Sequence, residues 1–203
     1  MMKIISPHAN TSLKPIRNAL FVLYPCQVNA EKSTGWQKER DELLYYRCNP
    51  RNTDYMLALV DEFKTAWVKD GKCDLLIADS LYNKTSENDF AGFEQVFTDI
   101  EQVAQKKNEY DTIVYLFTDA IGIGWEKIEP ALAALQISQE VVINGRRRIF
   151  MLDTESKRAL SMRRFFSRAW FFEMLLTPAL IISAIWFLLV DAISALFVAD
   201  RGI

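Results

Sequence analysis

A chain of 203 residues with 24 basic and 26 acidic side chains carries a net charge of −2, and because eight of the basic residues gather between Arg146 and Arg168 the remainder is acidic, which argues against a general nucleic-acid surface. Half of it is hydrophobic and a quarter charged, so it is globular rather than disordered, with room for one ordinary core. Three cysteines (Cys26, Cys48 and Cys73) form no C-x-x-C pair and point to reduced structural thiols, and a single histidine, His8, excludes a His-x-x-x-His metal site.

In chain order, residues 1–17 show no usable periodicity and are expected to form a flexible leader. Asn18–Tyr24 (NALFVLY) is a short apolar run stopped by Pro25, the pattern of a buried strand, and too short an apolar run for a secretory signal. Trp36–Arg47 reads as a helix with Leu43, Leu44 and Tyr46 as its apolar positions. Thr53 or Asp54 then caps a helix over Tyr55–Lys69, in which Met56, Leu59, Val60, Phe63 and Trp67 recur at three and four, and Asp70-Gly71 ends it.

Cys73–Ala78 (CDLLIA) predicts a second buried strand. Ser86 with Asp89 three residues on predicts a helix start, and the helix is expected to run to about Lys107 with Phe90, Phe93, Val96, Phe97, Ile100 and Val103 inward. Asp111–Phe117 (DTIVYLF) is the third strand, Thr118–Gly124 its exit loop, and Trp125–Leu135 a short helix with Pro130 in or near its first turn. Two β-prone runs joined by Asn144-Gly145 within Glu140–Asp153 make a hairpin. The expected fold is α/β: a small, Rossmann-like three-layer sandwich over residues 18–153, with a partly parallel sheet and a C-terminal β-hairpin.

In parallel strands the carboxyl ends share one edge, where ligands of open α/β sheets bind. Asp79, Ser80, Asp119, Gly122 and Gly124 fall there and form the candidate ligand site. G-x-G before a helix brings backbone amides to an anion, although GIGW lacks the third glycine of a dinucleotide fingerprint and the lysine of a phosphate loop. The glycines also suit a plain tight turn, and each aspartate a helix cap. As a pair on adjacent strand ends, Asp79 and Asp119 suit acid/base work or magnesium. No catalytic set, metal site or cofactor is otherwise read from the residues.

The C-terminal end is read as a basic juxtamembrane helix (154–168), a transmembrane helix (169–198) and a short tail (199–203). Met174–Val190 is uncharged over seventeen residues, and the steps from Glu173 to Asp191 span ~27 Å, close to the ~30 Å hydrocarbon core of a bilayer. Eight basic residues against two acids between Arg146 and Arg168 place the N-terminal side in the cytoplasm. Arg163, Arg164, Arg168, Trp170 and Trp186 are the candidate membrane-anchoring residues, and Leu160, Met162, Phe165, Phe166 and Trp170 interleave with the charges as in an interfacial helix.

Glu173 and Asp191 sit as bookends in the two headgroup layers. If instead the span runs from about Leu175 to Val198, Asp191 lies inside and needs a partner helix. Ala179, Ser183, Asp191 and Ala195 are the candidate helix–helix contacts. The expected function is a docking or assembly subunit of a membrane-associated complex, non-enzymatic, with membrane lipid and protein partners, a possible homo-oligomer and no nucleic acid. The alternatives are a ligand-gated membrane effector sensing a nucleotide or similar anion, and a membrane-associated enzyme using Asp79 and Asp119.

Overall fold

The structure, a computed structural model, describes residues 14–25, 51–168 and 170–199; the side chains at 69, 70, 87, 168, 170–175 and 192–199 lie outside the description. The expected helix Trp36–Arg47, with His8, Cys26 and Cys48, also falls outside the described residues. The chain divides into two units, Met1–Arg164 and Phe165–Ile203.

The first unit is a mixed α/β domain around a six-stranded sheet of order β3-β2-β1-β4-β5-β6. Its strands are β1 (Ile16–Tyr24), β2 (Val68–Ile77), β3 (Gln95–Phe97), β4 (Thr112–Phe117), β5 (Gln139–Asn144) and β6 (Ile149–Met151). β1 pairs in parallel with β2 from Ala19↔Cys73 to Leu23↔Ile77 and with β4 from Ala19↔Thr112 to Tyr24↔Phe117. β3 and β5 add in parallel, and only β6 runs antiparallel, against β5. β1 and β4 are buried on both faces, which is why their sequences are unbroken apolar runs rather than alternating ones.

Helices cover both faces. On one, α1 (Thr53–Trp67) lays Met56, Leu59, Val60 and Phe63 against Phe21, Leu23, Leu75, Val114 and Ile143. Phe63 meets Phe21 edge-on with ring centres 6.0 Å apart, and burying each such ring is worth ~1.5–3 kcal/mol. A short α2 (Asp79–Tyr82) follows β2. On the other face α3 (Ile100–Gln105), α4 (Glu129–Ala133) and α5 (Thr154–Arg168) contribute Val103, Leu132 and Leu160 to a cluster with Leu20, Val22, Tyr115, Phe117 and Trp125.

Several expected boundaries move. β1 begins at Ile16, inside the stretch expected to be leader. The cap of α1 is Asn52, whose side chain accepts from the Tyr55 N–H at 3.0 Å, one or two residues before the expected Thr53 or Asp54. Asp70-Gly71 does not stop the helix: α1 passes into β2 at Val68, and Gly71 lies where the β1–β2 register slips between Ile16 and Asn18. A Cβ on Gly71 would fall 1.6 Å from the Arg17 carbonyl oxygen, so the glycine permits a bulge rather than a cap.

The long helix expected from Ser86 to Lys107 is a larger miss. Asp89 does accept from the Ser86 N–H at 3.1 Å, but only a 3-10 turn, Glu87–Phe90, follows. The chain then becomes edge strand β3 before Asp99 caps α3, accepting from the Glu101 N–H at 3.0 Å. Buried Asp74 on β2 accounts for this, because its carboxylate accepts from the Gln95 N–H at 3.0 Å and the Tyr110 hydroxyl at 2.6 Å. A buried carboxylate without donors is costly, and a strand supplies one of them where a helix would not.

The β5–β6 hairpin forms, with Ile143 opposite Ile149, so its loop is longer than the expected two residues. Arg147, at φ 57, takes the left-handed position; the Asn144 side chain accepts from the Arg146 and Arg148 N–H groups at 3.1 and 3.0 Å. Gly145 serves a close approach instead, since a Cβ there would lie 2.4 Å from the Thr118 carbonyl oxygen.

In the second unit, α6 runs over Trp170–Ala199, with Pro178 inside it. Among the described residues no helix is long and apolar enough to cross a membrane. The side chains of α6 are described only from Leu176 to Asp191, ~24 Å of helix against a ~30 Å hydrocarbon core.

Candidate functional site

Helices on both faces and a strand order that reverses direction between β1 and β4 define a doubly wound sheet, whose crevice lies at the carboxyl ends of those two strands. Three segments meet there. The Arg51 N–H donates to the Thr118 carbonyl at 2.7 Å, just before the cap of α1, and the Gly145 N–H donates to the Phe117 carbonyl at 2.8 Å. The Thr118 hydroxyl is buried at this edge with no hydrogen-bond partner.

Asp119 is 1 % exposed, and its carboxylate closes the loop by accepting from the Ile121 and Ile123 N–H groups at 2.6 and 2.8 Å and from that of Gly122. Burial pushes its carboxyl up, against the lowering effect of those three donors and of Arg164. Gly122 and Gly124 have φ of 66° and 88°, and a Cβ on Gly122 would meet the Phe117 ring at 2.7 Å. Both glycines thus serve the turn. Asp79 and Ser80 are exposed at the start of α2. β1 separates β2 from β4, so Asp79 and Asp119 are two strand spacings apart, ~10 Å, rather than on adjacent ends. With Asp119 committed to backbone amides, the geometry does not make the two a carboxylate pair.

A further buried polar cluster lies beneath α5. Of the five candidate anchoring residues, Arg164 is 4 % exposed and turned into the domain. Its Nε donates to the Ile121 carbonyl at 2.8 Å, its two terminal nitrogens hold both oxygens of Glu129 at 2.9 and 2.7 Å, and its guanidinium lies 5.5 Å from the Phe117 ring centre. A planar fork is suited to this triple engagement in a way a lysine is not. Arg164 is therefore a tie between α5, α4 and the Asp119 loop, not an arginine presented to headgroups. Leu160, expected among the interfacial residues, is buried one turn earlier on the same face.

Beside this tie is a cavity of about 260 Å³, walled by Tyr115, Glu126, Glu140, Lys157 and Ser161. Glu140 pairs with Lys157 at 2.9 Å and accepts from the Tyr115 hydroxyl at 3.2 Å. Burial and the nearby Glu140 carboxylate push the Tyr115 phenol well above its usual range. One sequence signal marks this face: Ser156, Leu160 and Arg164 are spaced by four, and all three are buried.

Of the remaining candidates, Arg163 and Trp186 are exposed, while the side chains of Arg168 and Trp170 lie outside the described residues. On α6, Ala179 and Asp191 are exposed, the Ser183 hydroxyl donates to the Leu180 carbonyl at 2.9 Å, and the Ala195 side chain lies outside the description. The fold and its edge thus define a doubly wound α/β domain with no assembled catalytic group among the described residues. No family model, curated protein or solved structure matches the chain.

Proposed function

We propose that this protein is anchored in a membrane by α6 as a single pass, with the α/β domain on the cytoplasmic side as a docking or assembly subunit of a membrane complex. The observation that carries the reading is the surface of α6. Leu180, Ile181 and Ile182 are 66, 55 and 68 % exposed, and Trp186, Phe187, Leu188 and Leu189 are 65, 68, 69 and 53 % exposed. Consecutive residues point ~100° apart on a helix, so these runs are apolar all round, with no polar stripe to face water. Lipid is the solvent that matches such a surface. The uncharged sequence Met174–Val190 and the basic excess before it support the same depth and orientation.

Docking rather than catalysis is favoured because the buried ionisable groups Asp74, Asp119 and Arg164 all have partners within the domain. Ala179 and Ser183 would permit a second copy or a partner helix to approach. Alkaline carbonate extraction of membranes from cells making the full chain tests the anchor: the chain should stay with the membrane, and a chain truncated before Trp170 should be released. Release of both sinks the reading.

A second reading, a ligand-gated effector, is favoured by the unpartnered Thr118 hydroxyl at the β1–β4 crevice. A thermal-shift screen of nucleotides addresses it. Silence across mono-, di- and cyclic nucleotides removes it.

A further inference from the structure

The inner face of α5 is Ser156, Leu160 and Arg164, all buried. At ~100° per residue, Arg158, Met162 and Phe165 lie ~140–160° round the helix from Leu160, and Phe166 ~120°. Met162, Phe165 and Phe166 are 53, 63 and 62 % exposed, and the Phe165 and Phe166 rings meet edge-on at 5.7 Å. Arg158 and Glu155 are both exposed within this stripe, Glu155 in the first turn, where an acid complements the helix dipole, and Arg163 is exposed at its edge, ~60° round from Leu160. Two other basic residues of this helix are engaged within the domain, Lys157 with Glu140 and Arg164 with Glu129.

We propose that this outward stripe is a second membrane contact, lying on an anionic phospholipid surface with Met162, Phe165 and Phe166 at the headgroup–acyl boundary and Arg158 and Arg163 on lipid phosphates. The inference rests on the reading of α6 as a span. Lipid, rather than a protein groove, is the occupant because large apolar side chains alternate with exposed arginines on a helix that leads directly toward an all-apolar one. The Arg164 tie holds the Ser156, Leu160 and Arg164 side of α5 against the domain.

The test uses the full chain with Cys26, Cys48 and Cys73 replaced by alanine, in nanodiscs of phosphatidylcholine alone or with phosphatidylserine. A spin label is placed at Met162→Cys, with Ile182→Cys as the lipid control and Lys127→Cys as the water control. In the anionic discs the Met162 label should favour oxygen over a water-soluble nickel relaxant, as the Ile182 label does. Adding Arg158→Glu and Arg163→Glu should return it to the water value while leaving the Ile182 label unchanged. A Met162 label that stays water-accessible, or is shielded from both relaxants by protein, overturns the inference while the Ile182 label still supports the span. Indifference to the anionic lipid and to charge reversal overturns the electrostatic part. A water-accessible Ile182 label overturns the span itself.

Discussion

Replacing Arg164 with methionine should destabilise the α/β domain by about 3 kcal/mol. Its guanidinium is 4 % exposed and makes three hydrogen bonds, two to Glu129 and one to the Ile121 carbonyl. Breaking a fully buried ion pair by removing one partner costs ~3–5 kcal/mol. Glu129 is 28 % exposed and regains some hydration, which places the change at the low end. For a domain of this size that is a fall in Tm of ~6–12 °C. Urea unfolding followed by tryptophan fluorescence, which reports buried Trp125, is the assay. The double variant Arg164→Met, Glu129→Met should recover much of the loss, because an apolar pair of similar volume leaves no uncompensated charge. Arg163→Met, at an exposed position, should change stability by less than ~0.5 kcal/mol. Equal and negligible effects of the two arginine variants would refute the tie and return Arg164 to the membrane surface.

Gly71→Ala should destabilise the sheet strongly, by ~3 kcal/mol or more, because its Cβ would coincide with the Arg17 carbonyl 1.6 Å away; an unchanged urea midpoint would contradict the bulge. Tyr110→Phe should cost ~1.5–3 kcal/mol at pH 7 by taking one donor from the buried Asp74 carboxylate. Burial, reinforced by the bond to Asp74, also raises the Tyr110 phenol. A folded-state value above the unfolded one gives stability that is complete below the unfolded phenol value of ~10 and is lost as pH rises toward the folded one. Wild-type stability should therefore fall above about pH 10, and less steeply in Tyr110→Phe, with Tyr115 responsible for the remaining slope. Parallel pH profiles for the two proteins would contradict the assignment.

The central strands were legible because burial on both faces leaves a run such as ALFVLY or TIVYLF with no helical reading. The β5–β6 hairpin was legible for a partly mistaken reason, since Asn144-Gly145 marks the turn but Arg147 takes the left-handed backbone. Ser86 to Lys107 failed because the deciding group is remote: Asp74, on another strand, needs the Gln95 N–H. Arg164 failed for the opposite reason. Its basic neighbours suggest a membrane-facing cluster, and only the spacing with Ser156 and Leu160 reveals that this arginine shares the buried face. Asp119 and the two glycines lie on the exit loop of β4, as their sequence position predicts, and local hydrogen bonds hold that loop.

Side-specific cysteine labelling in sealed membrane vesicles tests the central claim most directly. Ser161→Cys, just before the apolar helix, and Gly202→Cys, just after it, are each placed in the cysteine-free chain and treated with a membrane-impermeant maleimide. A single pass predicts that Ser161→Cys reacts only from the cytoplasmic face and Gly202→Cys only from the opposite face. Reaction of both from the same face would mean that α6 does not cross the bilayer.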